Sequence, residues 1–225
     1  MTFKGGTSLS KAYGLIARFS EDIDVVTEPS FFIAQGCLDP GQPGISNTKR
    51  RERMHMLDEA CAAYIGNQLL STLRAAFGAR LGSVDDWSIE VDANDPTTLL
   101  FQYPKSDPDR KDSYIRSLVK IELGWRAKTA PSEPQSVGPY LAEIPRLLTD
   151  PQVSCNVLMP DRTFWEKVTA LHAESFRPKA KQFVSRHYSD VAAMLHTHVG
   201  NTASRSCRVP WKLPTGPGAY KMEAA

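Results

Sequence analysis

The chain has 225 residues, 41% of them apolar and 23% charged, with a formal net charge of +2. That is the composition of a globular protein large enough for one sizeable core or two smaller ones, and it excludes a strongly polyanionic or polycationic character. The four cysteines (Cys37, Cys61, Cys155 and Cys207) form no CxxC pair and argue against a zinc site or a disulfide framework; no apolar run reaches membrane-spanning length and no signal-peptide core opens the chain, so the expected setting is cytoplasmic, with no membrane partner.

In chain order, residues 1–4 read as the stub of a strand. Gly5-Gly6-Thr7-Ser8 reads as a tight turn, with Thr7 or Ser8 capping a short helix that runs to Tyr13. Residues 22–26, "DIDVV", read as a strand. Strand side chains alternate, so Ile23 and Val25 face a core while Asp22 and Asp24 share the opposite face, roughly 7 Å apart along the backbone. Two like charges so placed repel unless a cation lies between them, and the pair therefore points to a metal. Residues 29–46 are rich in Gly and Pro and read as a long surface loop.

Apolar residues at spacings of three and four (Leu57, Cys61, Tyr64, Ile65, Leu69, Leu73, Phe77) predict a helix over 47–80. Its opening "NTKRRER" is read as a solvated charged face, with phosphate contact as the sharper alternative. Strand-like runs follow at 87–91, 97–103 and 114–126. In the last, Val119, Ile121, Leu123 and Trp125 form the apolar face, which places Glu122 on the polar one, as with Asp22 and Asp24. The turn-rich "NDP" and "PKSDPDRK" suggest hairpins. The fold class expected is therefore α+β, a mixed or antiparallel sheet flanked by helices, followed by a smaller, mainly helical lobe.

Residues 130–138, "APSEPQSVG", read as a hinge. Beyond it come a strand at 153–159 and a helix "DRTFWEKVTALHAESF" with Thr163 and Glu166 at capping-box spacing. A second helix, "SRHYSDVAAMLHTHV", has Tyr188, Val191 and Leu195 inward. The expected domains are an α+β core at 1–129, a helical lobe at 139–200 and a disordered tail at 201–225.

The chemistry lies in the combination. Backbone amides at a glycine turn suit phosphate oxygens, and glycine keeps that approach open. Paired carboxylates suit Mg²⁺, a hard cation that shares its shell with substrate phosphates. A third carboxylate can anchor a second ion or deprotonate an attacking hydroxyl. Together these parts describe metal-assisted transfer of a nucleotidyl group from a triphosphate. Read singly, Lys167 is a solvated helix lysine, Asp190 pairs with Arg186 a turn earlier, His187 is a surface or packing residue, and Trp125 and Trp165 are packing residues.

"KGGTSLSKAYGLIARFSEDIDV", "VKIELGWR", "TFWEKVTALH" and "RHYSDVAAM" resemble, in order and across residues 3–194, the four motifs of the AbiEii/AbiGii-type nucleotidyltransferase toxins, within the polymerase-β-like superfamily. The resemblance implies that Gly5, Gly6, Thr7 and Ser8 cradle the triphosphate and that Asp22, Asp24 and Glu122 ligate Mg²⁺. It implies that Lys167 meets nucleotide phosphate, that Asp190 orients Lys167 or the base, and that Arg18 and Ser20 brace the first aspartate. Many relatives carry Asp where Glu122 stands. CTP or GTP is the implied donor, tRNA or another RNA the acceptor, and a cognate antitoxin the protein partner. Both ends look cut relative to this family, which sets an alternative beside the enzyme: an inactive nucleotide-binding or antitoxin-docking remnant. An RNA-binding module using "NTKRRER" and the 179–181 region is a third reading.

Overall fold

The structure, a computed structural model, describes residues 1–18, 20, 22–82, 86–104, 117–139, 152–177 and 185–206. It is α+β, with strands paired both parallel and antiparallel. The chain divides into two compact units, residues 21–126 and residues 1–20 with 127–225.

In the unit of residues 21–126, β2 (Asp22–Val26), β3 (Ser88–Asp92), β4 (Asp95–Gln102) and β5 (Leu118–Gly124) lie in the order β3-β4-β5-β2. β2 runs parallel to β5, while β3–β4 and β4–β5 are antiparallel. The alternation read from the sequence holds in this register. Ile89, Leu99, Ile121, Leu123 and Val25 pack in one core with Leu57, Cys61, Ile65 and Leu70 of the long helical segment. The fully buried aliphatic side chains among them, such as Leu57, Ile65 and Leu99, each contribute roughly 1.5–3 kcal/mol of hydrophobic stabilisation.

The helical segment is α3 (Asn47–Tyr64), a π-helical turn at Ile65–Leu69 and α4 (Leu70–Leu81). The predicted helix is present, but the wider π turn rotates the apolar stripe, so that Leu69 and Leu70 both meet the core. Ser46 starts α3, its Oγ accepting from the Lys49 amide at 3.3 Å. "NTKRRER" is largely exposed, as expected, although Arg53 donates to the Asp39 carbonyl at 2.6 Å and to Gln42 Oε1 at 2.7 Å. The loop expected over 29–46 contains a short helix, α2 (Pro29–Ile33), whose Phe32 enters the core. Trp125 is buried, with Nε1 donating to Asp58 at 2.9 Å, in keeping with a packing role.

In the other unit, β1 (Thr2–Lys4), β6 (Ser132–Val137) and β7 (Val153–Leu158) lie in the order β1-β7-β6. They accompany α1 (Gly5–Lys11), α5 (Pro160–Ser175), α6 (Ser185–Leu195) and α7 (His198–Ser206). Leu9, Ile16, Phe164, Met194, Val199 and Ala203 form its core. The segment expected as a hinge at 130–138 is instead largely β6, paired with β7 from Ser132↔Leu158 to Val137↔Val153. The capping box does not form. Pro160 opens α5 three residues earlier, in the first-turn position where its missing N–H costs nothing, and Thr163 is buried inside the helix. Likewise α1 begins at Gly5 with no side-chain cap, and Ser8 Oγ donates back to the Gly5 carbonyl at 2.9 Å. Residues 201–206, expected in a disordered tail, belong to α7; residues 207–225, 114–116 and 179–181 lie outside the described residues. Among the described residues, no helix is long and apolar enough to cross a membrane.

Leu57→Ala, at a fully buried site, is expected to cost about 2–5 kcal/mol in urea unfolding followed by tryptophan fluorescence. Met56→Ala, 42% exposed on the same helix, should change stability by less than about 0.5 kcal/mol.

Candidate active site

Two groups of charged side chains hold the residues singled out from the sequence, one in each unit. The first lies on β2 and β5. In their parallel register Asp24 stands opposite Glu122, and Asp22 opposite Lys120. Neighbouring strands lie about 4.8 Å apart and partners in register share a face. The three predicted acids are thus brought to one face of two adjacent strands, with Lys120 among them and with their backs to the apolar core. Asp22 and Asp24 are half-buried and Glu122 is exposed. On the far side of Glu122 its β4 partner is Thr98, buried, whose hydroxyl donates to Asp95 Oδ2 at 2.9 Å. Desolvation would raise the Asp95 pKa; hydrogen bonds from Thr97 and Thr98, with the charge of Lys120, outweigh it and hold the carboxyl below its usual range.

As these side chains stand, no group of three His, Cys, Asp or Glu among the described residues is gathered closely enough to hold a metal ion. The donor chemistry nonetheless fits Mg²⁺. The row offers carboxylate oxygens alone, from two rigid strands, and Mg²⁺ takes one or two carboxylates while keeping water and substrate oxygens.

The second group is an ionic cluster in the unit that holds both chain ends. Asp190 on α6 is 1% exposed. Arg18 grips both its oxygens, Nε to Oδ1 at 2.6 Å and the second nitrogen, Nη2, to Oδ2 at 2.7 Å. Lys167 on α5, 7% exposed, reaches the same Oδ2 at 2.9 Å. His187 Nδ1 lies 3.4 Å from Lys167 Nζ. Burial alone would raise the Asp190 pKa, but the bonds and charges of Arg18 and Lys167 prevail and keep the carboxyl below the usual range. His187, in the same cluster, is lowered as well. Burial comes first, then the positive charges of Lys167, Arg186 and Arg18; together they hold the imidazole below its ordinary pKa against the pull of Asp190.

This corrects two single-residue readings. Lys167 is not a solvated helix lysine, and Asp190 is held by Arg18 and Lys167 rather than by the neighbouring Arg186. Tyr188 and Leu195, expected inward on α6, are 58% and 52% exposed; the inward positions are Asp190 and Met194. The pairing of Arg18 with Asp190 was not foreseen. Its signal was present, since Asp190 lies one helical turn from Met194 on an apolar stripe, where an unpaired carboxylate cannot stay.

The Gly5–Ser8 segment, which is the opening of α1 rather than a separate tight turn, belongs to this second group. Gly5 has φ +79°, a conformation that favours glycine. Gly6 stands so close to Arg18 that a β-carbon there would come within 2.6 Å of Arg18 Nη2 and 3.2 Å of Ser20 Oγ. Thr7 and Ser8 are buried. Lys4 lies 3.6 Å from Glu166, which also takes Arg162 Nε at 3.3 Å, so Glu166 serves surface ion pairs. Trp165 is 37% exposed and stands edge-on to Phe164.

A family model described as "Nucleotidyl transferase AbiEii toxin, Type IV TA system" matches residues 1–209. No curated protein and no solved structure matches the chain.

Asp190→Asn should destabilise the protein by about 3 kcal/mol or more, because it removes the carboxylate that the buried Lys167 and the half-buried Arg18 share. The pH dependence has a defined sign. Folded His187 binds its proton less readily than it does in the unfolded chain, so stability falls as pH drops through the unfolded value of about 6.5 and levels off below the folded one. Folded Asp190 has the lower pKa of its two states. Its contribution is complete above the unfolded value of about 3.9 and is lost as pH falls through the folded one. Urea unfolding at pH 7.5 and pH 5.5 should therefore show a loss that His187→Asn reduces.

Proposed function

The chain belongs to the AbiEii nucleotidyl transferase toxin family, and on that premise we propose that it moves a nucleotidyl group from a nucleoside triphosphate to an acceptor hydroxyl, with the 3′ end of tRNA as the acceptor. The observation that carries this reading is the β2–β5 register, with Asp24 opposite Glu122 and Asp22 on the same face. Asp22, Asp24 and Glu122 are the residues that would hold Mg²⁺. The chemistry a bound Mg²⁺ supplies is charge neutralisation of the triphosphate and activation of the acceptor oxygen.

The other roles fall to the chain's own groups. The turn of Gly5, Gly6, Thr7 and Ser8 holds the triphosphate, and Lys167 contributes a cation to it. Asp190 orients Lys167 through the 2.9 Å contact. His187, held below its ordinary pKa, stays neutral beside Lys167 and leaves the ammonium as the charge presented. At the reacting phosphorus, a bond forms to the acceptor oxygen while the bond to the β-phosphate oxygen breaks. Pyrophosphate leaves with that electron pair, and Glu122, the most exposed of the three acids, takes the hydroxyl proton. The donor is CTP or GTP, the setting is the cytoplasm, and a cognate antitoxin restrains the activity.

Incubation with each labelled triphosphate, Mg²⁺ and tRNA is expected to label the RNA with one of the four. Asp22→Ala and Asp24→Ala should each reduce labelling about a thousandfold, the equivalent of several kcal/mol of charge stabilisation at the transition state. Equal labelling by the variants and the parent, or none by the parent with any triphosphate, overturns the proposal.

A further inference from the structure

Gly6 was read as glycine so that phosphate could approach the backbone; the geometry points to a different reason, that Gly6 is glycine in order to admit the Arg18 guanidinium, and that Arg18 is the positioning residue which fixes Asp190 and, through it, Lys167. A β-carbon on residue 6 would stand 2.6 Å from Arg18 Nη2. The end of an arginine side chain ordinarily swings aside at little cost. Here it cannot, because that same nitrogen donates to Asp190 Oδ2 at 2.7 Å while Nε donates to Oδ1 at 2.6 Å. Moving it breaks the fork on a carboxylate that is 1% exposed.

The consequence reaches Lys167 through a shared atom. Asp190 Oδ2 takes both Arg18 Nη2 and Lys167 Nζ. With Arg18 in place, two cations share one carboxylate. Without Arg18, Lys167 and Asp190 neutralise one another and the ammonium is drawn wholly to its partner. Arg18 thus sets where Lys167 points when it meets a phosphate. This rests on the proposed reading only in so far as the phosphate is that of a nucleoside triphosphate.

The test is a double-mutant cycle on the full chain: the parent, Gly6→Ala, Arg18→Met, and both together. Two quantities are read. One is the affinity for Mg²⁺·CTP and Mg²⁺·GTP by calorimetry. The other is the titration of His187 by NMR; the charged groups facing His187 are Lys167 from α5, Arg186 and Asp190 from α6, and Arg18. Each single variant is expected to weaken nucleotide binding about tenfold relative to the parent, and the double also about tenfold rather than a hundredfold, that is, no further than Arg18→Met alone. Each single variant should also raise the His187 pKa, and the double no further. Where Arg18→Met does not fold, Arg18→Lys carries the same cycle, since a lysine cannot present the second nitrogen that meets Gly6.

Additive losses of affinity would overturn the assignment of Gly6, because the glycine would then matter without Arg18. A His187 titration unmoved in Gly6→Ala overturns it as well. Unchanged nucleotide affinity in Arg18→Met, where the parent binds, overturns the positioning role. If the parent itself binds no triphosphate, it is the proposed function that fails; the His187 titrations still decide whether Gly6 and Arg18 are coupled.

Discussion

A carboxylate buried to 1% exposure is the constraint on which much of this protein turns. An isolated ionised acid in such a place would be lost to desolvation, so Asp190 must either neutralise itself or be paired. It is paired twice, by the fork of Arg18 and by Lys167. The contact with Arg18 spans 172 positions of sequence and ties a segment near the start of the chain to a helix near its end. The same pairing buries Lys167 and leaves no room for a side chain at residue 6. A single buried charge therefore accounts for features that look unrelated along the sequence: a glycine at residue 6, a lone arginine after an apolar run, and a lysine and an aspartate in separate helices.

The acidic face of the other unit follows a different logic. Like charges on adjacent strands oppose folding, and the register of β2 with β5 places Asp24 beside Glu122. What offsets this is behind the sheet, where Val25, Ile121 and Leu123 pack on the long helical segment. Lys120, next to Asp22, adds a counter-charge within the same row. A face that carries local repulsion over a well-packed core is the pattern expected where chemistry, rather than stability, chose the residues.

Much of that second arrangement was legible in the sequence, because period-two alternation is a local signal. β2 falls at the residues expected, and Glu122 could be assigned to the polar face of its strand from its neighbours alone. β6 was not legible. "SEPQSV" has no apolar alternation, and its Pro134 and flanking polar residues read as a linker; only pairing with β7 makes it a strand. The π turn was hidden for a related reason, since a helical stripe interrupted by one extra residue still shows spacings of three and four. The capping box failed because two start signals competed, and Pro160, three residues ahead of Thr163, prevailed. In each case the deciding information lies in a partner distant in sequence or in a choice between equally good local patterns.

The phase of α6 shows how such a choice is settled. Its sequence supports two apolar stripes. One runs through Tyr188, Val191 and Leu195 and reads as the more hydrophobic. The other runs through His187, Asp190, Val191 and Met194 and includes a charge. Hydrophobicity alone selects the first, yet the helix turns the second inward, leaving Tyr188 and Leu195 exposed and Met194 fully buried. The two orientations differ by roughly one residue, about 100° of rotation. Turning Asp190 outward would strand Arg18 and Lys167, two cations with a buried carboxylate as their common partner, and the cost of unpaired buried charge exceeds the gain from burying one more large apolar side chain. Electrostatics therefore sets the rotation of this helix, and hydrophobic packing accommodates it, which is why a reading by apolar spacing alone places Tyr188 on the wrong side and misses the charge that decides the matter.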